Sequence, residues 1–295
     1  MTERRLGEAV TGPVAAHCST VSCAAGEPLG ATATTADEWL LVEVPGAWPR
    51  DVGDPGALPE GATAPVARWL EGSARRRLLF LRRPGRGSGA LHVLVVTATE
   101  AAARVRRLVV DALPELESVD LEVAGDDVQT GLVLVCGHGS RDRCCAVHGT
   151  AVYGALAHTL GSDGLWISSH QGGHRFAANV LVLPGGIQLG RLTPGDAPEA
   201  VGRALSTEID LEHYRGRTCY VPEAQAAELA VRTALGLDRL ADLRLVGADG
   251  PVVRFRGRDG TEHAAVVERV QGPVVPVSCG ASPEAQPTLV AQVLG

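Results

Sequence analysis

Cysteine and histidine residues crowd into one stretch of this sequence. The segment from Cys136 to His174 holds three of the seven cysteines and five of the nine histidines. Cysteine thiolates and neutral imidazoles are the ligands of zinc and iron–sulfur sites in proteins. The residue types therefore predict a metal site in this stretch.

Four residues of the stretch stand at positions that suit metal ligands. Cys136 follows the short apolar run GLVLV, which predicts a buried strand that ends at the cysteine. Cys145 falls in the first turn of a predicted helix, where the helix dipole favours a thiolate. His170 and His174 are separated by a pair of glycines, which argues against a helix and predicts a tight loop that presents both imidazoles.

The residues alone leave several interpretations open. Two cysteines and two histidines also suit a structural zinc site. Either Cys144 or Cys145 can in principle be the second thiolate ligand, because the two are adjacent. Cys136 with His138 and Cys145 with His148 copy the two halves of a Rieske motif, but only six residues separate the halves. A thiol oxidoreductase that uses Cys136, or Cys144 with Cys145, is a further alternative, and the lack of a Cys-x-x-Cys motif counts against it.

The run CGHGSRDRCCAVHG, followed by SSHQGGHRFAANVLVLPGGIQLGRL, resembles the sucrase/ferredoxin-like family. These are thioredoxin-like [2Fe–2S] proteins, and the resemblance is specific over about 133–192. It is weaker around Glu43 and Trp48, and again at 278–280. The resemblance implies a [2Fe–2S] cluster held by the cysteines of a Cys-x8-Cys spacing, Cys136 and Cys145. It also implies that the other ligands are both histidines of a His-x-x-x-His motif, His170 and His174.

The resemblance implies an electron carrier that exchanges electrons with a separate redox partner, a reductase or an acceptor, rather than an enzyme with its own substrate. Two neutral imidazoles in place of two thiolates predict a raised reduction potential, and their second nitrogens suggest coupling to protons. Arg141 and Arg175 flank the ligands, where they either act on the cofactor or a partner or are merely solvated or salt-bridged. Asn179 is predicted to hydrogen-bond the glycine loop or a ligand histidine.

The other cysteines carry no predicted chemistry. Cys18 and Cys23 are interpreted as structural residues, and Cys219 as a packing residue. Cys279 fits the family pattern, but its sequence context gives it no role.

Composition excludes several classes of protein. Of the 295 residues, 45% are hydrophobic and 21% are charged, which is typical of a globular chain. The net charge of −7 argues against a nucleic-acid partner. No apolar run reaches the roughly 20 residues that span a bilayer, and no signal-like segment follows the first residues, so a cytoplasmic protein without a membrane partner is expected. All 27 basic residues are arginine, which excludes Schiff-base and P-loop lysine chemistry.

The pattern of apolar residues predicts an α/β (α+β) fold, in which the β-α-β-β-α order of the central part suits a thioredoxin-type layer. This part lies between an N-terminal α/β half and a small C-terminal α+β subdomain, and the family resemblance implies that it is a thioredoxin-like ferredoxin domain. Residues 1–126 form the N-terminal region, with a cluster-free thioredoxin-like half as one interpretation. Residues 127–221 form the ferredoxin domain, and residues 222–295 form the C-terminal subdomain. The predicted N-terminal elements are strands over 38–44, 76–81, 90–97 and 119–123 and helices over 66–71 and 101–113. The central elements are strands over 131–135, 165–168, 178–183 and 187–191 and helices over 142–160 and 196–207. The C-terminal elements are a helix over 223–235 and two or three strands within 243–270.

Overall fold

The computed structural model describes residues 17–85, 89–161 and 164–295. Its α-helices are α1 (Cys18–Ala24), α2 (Thr63–Glu71), α3 (Arg143–Leu160), α4 (Ala197–Leu205) and α5 (Pro222–Leu235). The strands up to the site are β1 (Glu38–Glu43), β2 (Arg76–Arg82), β3 (Leu91–Ala98), β4 (Ala103–Val110), β5 (Asp126–Asp127) and β6 (Leu132–Cys136). The remaining strands are β7 (Leu165–Ser168), β8 (Val180–Leu183), β9 (Ile187–Leu189), β10 (Tyr214–Arg217), β11 (Leu243–Asp249), β12 (Val252–Gly257), β13 (Glu262–Pro276) and β14 (Pro283–Leu294).

Ten strands form one mixed sheet in the order β10-β9-β8-β6-β7-β2-β1-β3-β4-β5. The pairs β1 with β2 and β6 with β7 are parallel, and the other pairs are antiparallel. Helices and a mixed sheet in this arrangement confirm the predicted α/β class.

The same topology occurs twice in this sheet. In the N-terminal repeat (β1–β4), β1 and β2 are parallel strands connected through α2, and β3 and β4 extend the sheet beyond β1. In the central repeat (β6–β9), β6 and β7 are connected through α3, and β8 and β9 extend the sheet beyond β6. The repeats meet where β2 pairs antiparallel with β7. The sheet therefore runs without interruption from one repeat to the other.

Apolar side chains pack on both faces of the sheet. On one face, Val152 and Leu156 of α3 pack with Val133 and Val135 of β6. Another cluster combines side chains from strands of both repeats, among them Leu41 and Leu134. The two repeats thus share a hydrophobic core as well as a sheet.

A four-stranded antiparallel sheet, β11-β12-β13-β14, follows the central repeat. Helix α5 packs on it, with Ala227 and Val231 in one cluster with Val253 and Phe255. The sequence predicts two or three strands here and misses β14. The division of the chain at residues 126 and 221 stays a prediction.

Two predicted N-terminal elements are wrong. The helix predicted over 101–113 is strand β4, which pairs with β3 along its whole length and contains β-branched valines that favour a strand. The strand predicted over 119–123 is a turn after the 3-10 helix Leu113–Ser118. Asp120 closes that turn by accepting the Glu122 N–H at 3.0 Å.

Candidate metal centre

Strand β6 and helix α3 bring Cys136 and Cys145 to one edge of the sheet. Cys136 is the last residue of β6, and α3 begins a few residues later with Asp142 as its N-cap, as the sequence predicts. The Asp142 carboxylate accepts the Cys144 N–H at 2.8 Å. Gly149 lets the helix approach closely, because a Cβ at this position would lie 2.0 Å from the Cys136 carbonyl oxygen.

The loop after β7 carries the two histidines to the same edge. Strand β7 is parallel to β6, with Ser168 paired to Cys136, so the segments that follow these two strands leave the sheet at the same edge. Gly172 and Gly173 adopt φ values of +88° and +67°, which favour glycine. Side chains from outside the loop hold its carbonyls: Asn179 donates to Gly173 at 3.0 Å, and Arg215 donates to Gly172 at 3.0 Å.

Three of the four predicted ligands converge. The sulfurs of Cys136 and Cys145 and one ring nitrogen of His170 all lie within 4.8 Å of one another. Both cysteines are buried, at 1% and 0% exposure. The Cys145 thiol and the His170 ring stabilise the Cys136 thiolate, and they hold the pKa of Cys136 well below its usual range. The Cys136 thiolate beside it, together with burial, raises the pKa of Cys145.

His174 lies beside this group. Its ring centroid is 5.0 Å from that of His170, and its Nε2 is 3.7 Å from the Asp142 carboxylate. Neither nitrogen of the His174 ring, nor Nδ1 of His170, makes a hydrogen bond of ordinary geometry with any described residue, although all three atoms are buried. Burial lowers the pKa of His174, and the Asp142 carboxylate opposes this in part.

These residues fit a metal or a metal cluster. Buried polar atoms in folded proteins nearly always have a partner, and an ion is one explanation when the protein supplies none. Here the atoms without a hydrogen-bond partner among the described residues are both ring nitrogens of His174 and Nδ1 of His170. A ring nitrogen of His170 lies within 4.8 Å of two buried sulfurs. Neutral imidazole and thiolate are the forms that bind zinc and iron.

The alternative Rieske-type set does not come together. His138 uses both ring nitrogens, since Nδ1 accepts the His170 N–H at 3.1 Å and Nε2 lies 2.8 Å from the Pro49 carbonyl oxygen. His148 groups with Cys144 and His17 rather than with Cys145. His138 thus supports the His170 backbone and has no nitrogen left for a metal.

The two flanking arginines form ion pairs. Arg141 lies 3.5 Å from an Asp51 carboxylate oxygen, and Arg175 donates to the buried Glu27 at 2.8 Å. Salt-bridged arginines are one of the two alternatives that the sequence leaves open, and an effect of either side chain on a cofactor stays a prediction. Asn179 donates to the glycine loop through Gly173.

Comparison with known proteins decides the family. The family model for sucrase/ferredoxin-like proteins matches residues 29–216, which is more than half of the chain. The chain belongs to the sucrase/ferredoxin-like family. It is also similar to altered inheritance of mitochondria protein 32 from Meyerozyma guilliermondii (strain ATCC 6260), with 28% identity over 117 residues. That match covers 36% of this chain and 42% of the relative, so the chain spans less than half the length of the curated relative it matches.

No solved structure gives a significant match to this family member. Among the residues that the structure describes, no helix is both long enough and apolar enough to cross a membrane. The cytoplasmic location expected from the sequence stays a prediction.

A second group of cysteines, which the sequence does not predict, lies beside the first. Cys18, Cys144 and Cys279 bring their sulfurs together with the Asp142 carboxylate. Hydrogen bonds from the thiol of Cys18 and the hydroxyl of Ser19 lower the pKa of Cys144 to about 5. Cys18 and Cys279 lie outside the segment matched to the sucrase/ferredoxin-like family. More than 120 residues separate either of them from Cys144, so no local spacing could have indicated the group.

Proposed function

We propose that this chain is an electron carrier with a [2Fe–2S] cluster bound by Cys136, Cys145, His170 and His174. The observation that carries the proposal is the meeting of two buried sulfurs with a ring nitrogen of His170. Beside them lies His174, whose two buried ring nitrogens make no ordinary hydrogen bond with a described residue. Membership of the sucrase/ferredoxin-like family supports the same choice of cofactor. When bound, such a cluster supplies reversible one-electron transfer.

The protein prepares the ligands in the forms that iron requires. Cys136 is favoured as a thiolate before any metal arrives. Cys145 shares that negative charge and must release a proton when it binds a metal. Burial favours the neutral form of His174, which is the form that ligates. Two neutral imidazoles leave the site less negative than four thiolates would, so we expect a potential above that of all-cysteine ferredoxins.

The proposed path for electrons leads through the histidine side. The two cysteines are fully buried, whereas the His174 side chain is 12% exposed and His170 is half-buried. A separate redox protein would therefore approach the glycine loop rather than strand β6. Coupling of electron transfer to protons on the imidazoles stays a prediction.

The test is spectroscopic and uses the full chain. We expect purified protein to be red-brown, with about two irons and two acid-labile sulfides per chain. His170→Cys and His174→Cys should keep the colour and lower the midpoint potential, because each adds a negative ligand. His158→Cys is the matched control, since His158 lies exposed near the end of α3, away from the site.

Two results would overturn the proposal. One is a colourless protein with zinc bound by Cys136 and Cys145, which would indicate a structural zinc site. The other is an unchanged potential in both histidine variants, because neither imidazole would then be a ligand. A drop in potential in the His158→Cys control would show that the measurement does not report on ligation.

A further inference from the structure

Three cysteines from distant parts of the chain bring their sulfurs into mutual contact. Cys18 begins α1, Cys144 lies in the first turn of α3, and Cys279 lies in the turn between β13 and β14. The Cys144 sulfur is 3.5 Å from that of Cys18 and 3.4 Å from that of Cys279. The sulfurs of Cys279 and Cys18 are 3.7 Å apart.

This triangle has nearly the dimensions of a tetrahedral thiolate site. Zinc binds cysteine at about 2.3 Å, which places two sulfurs on one ion about 3.8 Å apart. The three observed separations, from 3.4 to 3.7 Å, fall short of that value by a few tenths of an ångström. The sulfurs therefore need to move very little to hold one ion between them.

Asp142 supplies a fourth donor. Its two carboxylate oxygens lie 3.9 and 4.0 Å from the Cys18 sulfur, and the group as a whole lies within 4.8 Å. One oxygen accepts the Cys144 N–H and the other accepts the Cys279 N–H, both at 2.8 Å. A carboxylate oxygen has a second lone pair, so both hydrogen bonds can persist while one oxygen binds a metal.

Neither simple packing nor a disulfide accounts for the whole arrangement. Buried cysteines often act as small apolar residues, but this group also includes a carboxylate and the Ser19 hydroxyl, which donates to the Cys144 sulfur at 3.2 Å. A disulfide joins two sulfurs and would leave the third thiol unpaired. One metal ion satisfies all three sulfurs together.

We propose that Cys18, Cys144, Cys279 and Asp142 form a second metal site, which binds Zn²⁺. Thiolates select soft or borderline ions, and the carboxylate oxygen favours zinc over Cu(I). The site shares no ligand with Cys136, Cys145, His170 and His174, so it does not depend on the iron–sulfur proposal.

The surroundings suit a charged ion with a route to solvent. A cleft of about 340 Å³ reaches Asp142 and Cys279 and is also lined by Arg50, Arg141 and Arg143. Three thiolates and a carboxylate carry more negative charge than one divalent ion neutralises, and arginines close by lessen the excess. The cleft also provides the entry path that a metal site needs.

A bound ion would fasten three segments together. It would link α1, the start of α3 and the C-terminal sheet, which belong to different parts of the sequence. Metal binding by a site that does not exist in the unfolded chain adds to folding stability. The proposed role of this zinc is thus structural, next to a redox site.

The test measures metals in the purified full chain under reducing conditions. Elemental analysis should give about one zinc per chain in addition to any iron. Cys18→Ser and Cys279→Ser should each weaken zinc binding about a hundredfold or more, as measured by competition with a chelator. Cys23→Ser and Cys219→Ser are matched controls and should keep the zinc. Cys279 lies in a half-exposed turn, so its variant tests the site even if Cys18→Ser fails to fold.

The cysteines on which zinc binding depends distinguish this proposal from the iron–sulfur proposal. Zinc that is lost in Cys136→Ser but retained in Cys279→Ser would overturn the second site. The same holds if no zinc is recovered, if copper or iron occupies the site, or if mass spectrometry of the unreduced protein finds a disulfide among the three cysteines. Zinc that depends on Cys18 and Cys279 supports the site whether or not the protein contains iron.

Discussion

Replacing Gly149 by alanine tests how the chain positions Cys136 and Cys145. Gly149 packs against the end of β6, and its added Cβ would lie 2.0 Å from the Cys136 carbonyl oxygen and 3.0 Å from the carbonyl carbon. Neither atom belongs to a flexible side chain, so the helix or the strand must move.

The size of the movement follows from the distances. Ordinary contact of a Cβ begins near 3.4 Å, so the oxygen and the Cβ must separate by about 1.4 Å. Metal–ligand distances tolerate only about 0.2 Å. Cys145 lies one turn earlier on the same helix face, so much of the displacement reaches its sulfur. Overpacking of this kind costs about 1–3 kcal/mol, against a gain of about 1 kcal/mol in helix propensity.

Gly154→Ala is the matched control on the same helix. A Cβ at this position meets nothing within 4 Å, so only the gain in helix propensity remains. We expect Gly149→Ala to be less stable than Gly154→Ala by about 1–3 kcal/mol in urea unfolding. We also expect Gly149→Ala to bind much less iron than Gly154→Ala. Equal stability and equal iron content in the two variants would refute the argument.

Two further predictions concern residues away from the proposed metal sites. Glu228 and Arg232 form a fully buried ion pair, to which the Tyr214 hydroxyl donates at 2.8 Å. Glu228→Ala should therefore lower the free energy of unfolding in urea by about 3–5 kcal/mol. Removal of the exposed carboxylate of Glu262 should lower it by about 1 kcal/mol or less. Equal losses in the two variants would contradict the prediction. Burial raises the pKa of the Cys219 thiol from 9.0 to about 11, so the unfolded chain loses this proton first as the pH rises. The free energy of unfolding should then fall by about 2 kcal/mol between pH 9 and 11 in reduced protein, and an unchanged pH slope in Cys219→Ala would show that this thiol is not responsible.

Local signals in the sequence predict the central repeat well. Asp142 and Gly161 mark the ends of α3, and the structure places its N-cap and C-cap at these two residues. The apolar run before Cys136 gives β6, and the two glycines give the loop between the histidines. These features depend on caps, turns and short apolar runs, which a single segment encodes.

Features that depend on distant pairing could not be predicted in this way. Strand β4 has apolar residues at helical spacing, but its partner β3 decides its conformation. The repeated topology is not visible as a repeated sequence, because different side chains can fill equivalent places in a core. Cys18 and Cys279 approach Cys144 only because α1 and the C-terminal sheet both pack near the start of α3.

The antiparallel pairing of β2 with β7 limits how far this protein can be shortened to a single domain. Ser169, which directly precedes His170, donates its N–H to the Phe80 carbonyl at 2.8 Å, and its hydroxyl accepts the Phe80 N–H at 2.9 Å. Excising residues 127–221 would turn β7 into an open edge strand, which invites aggregation. The excision would also remove the two hydrogen bonds with Phe80 that hold Ser169, the residue before His170. The N-terminal repeat, which contributes none of the four proposed iron ligands, thus acts as scaffolding for them.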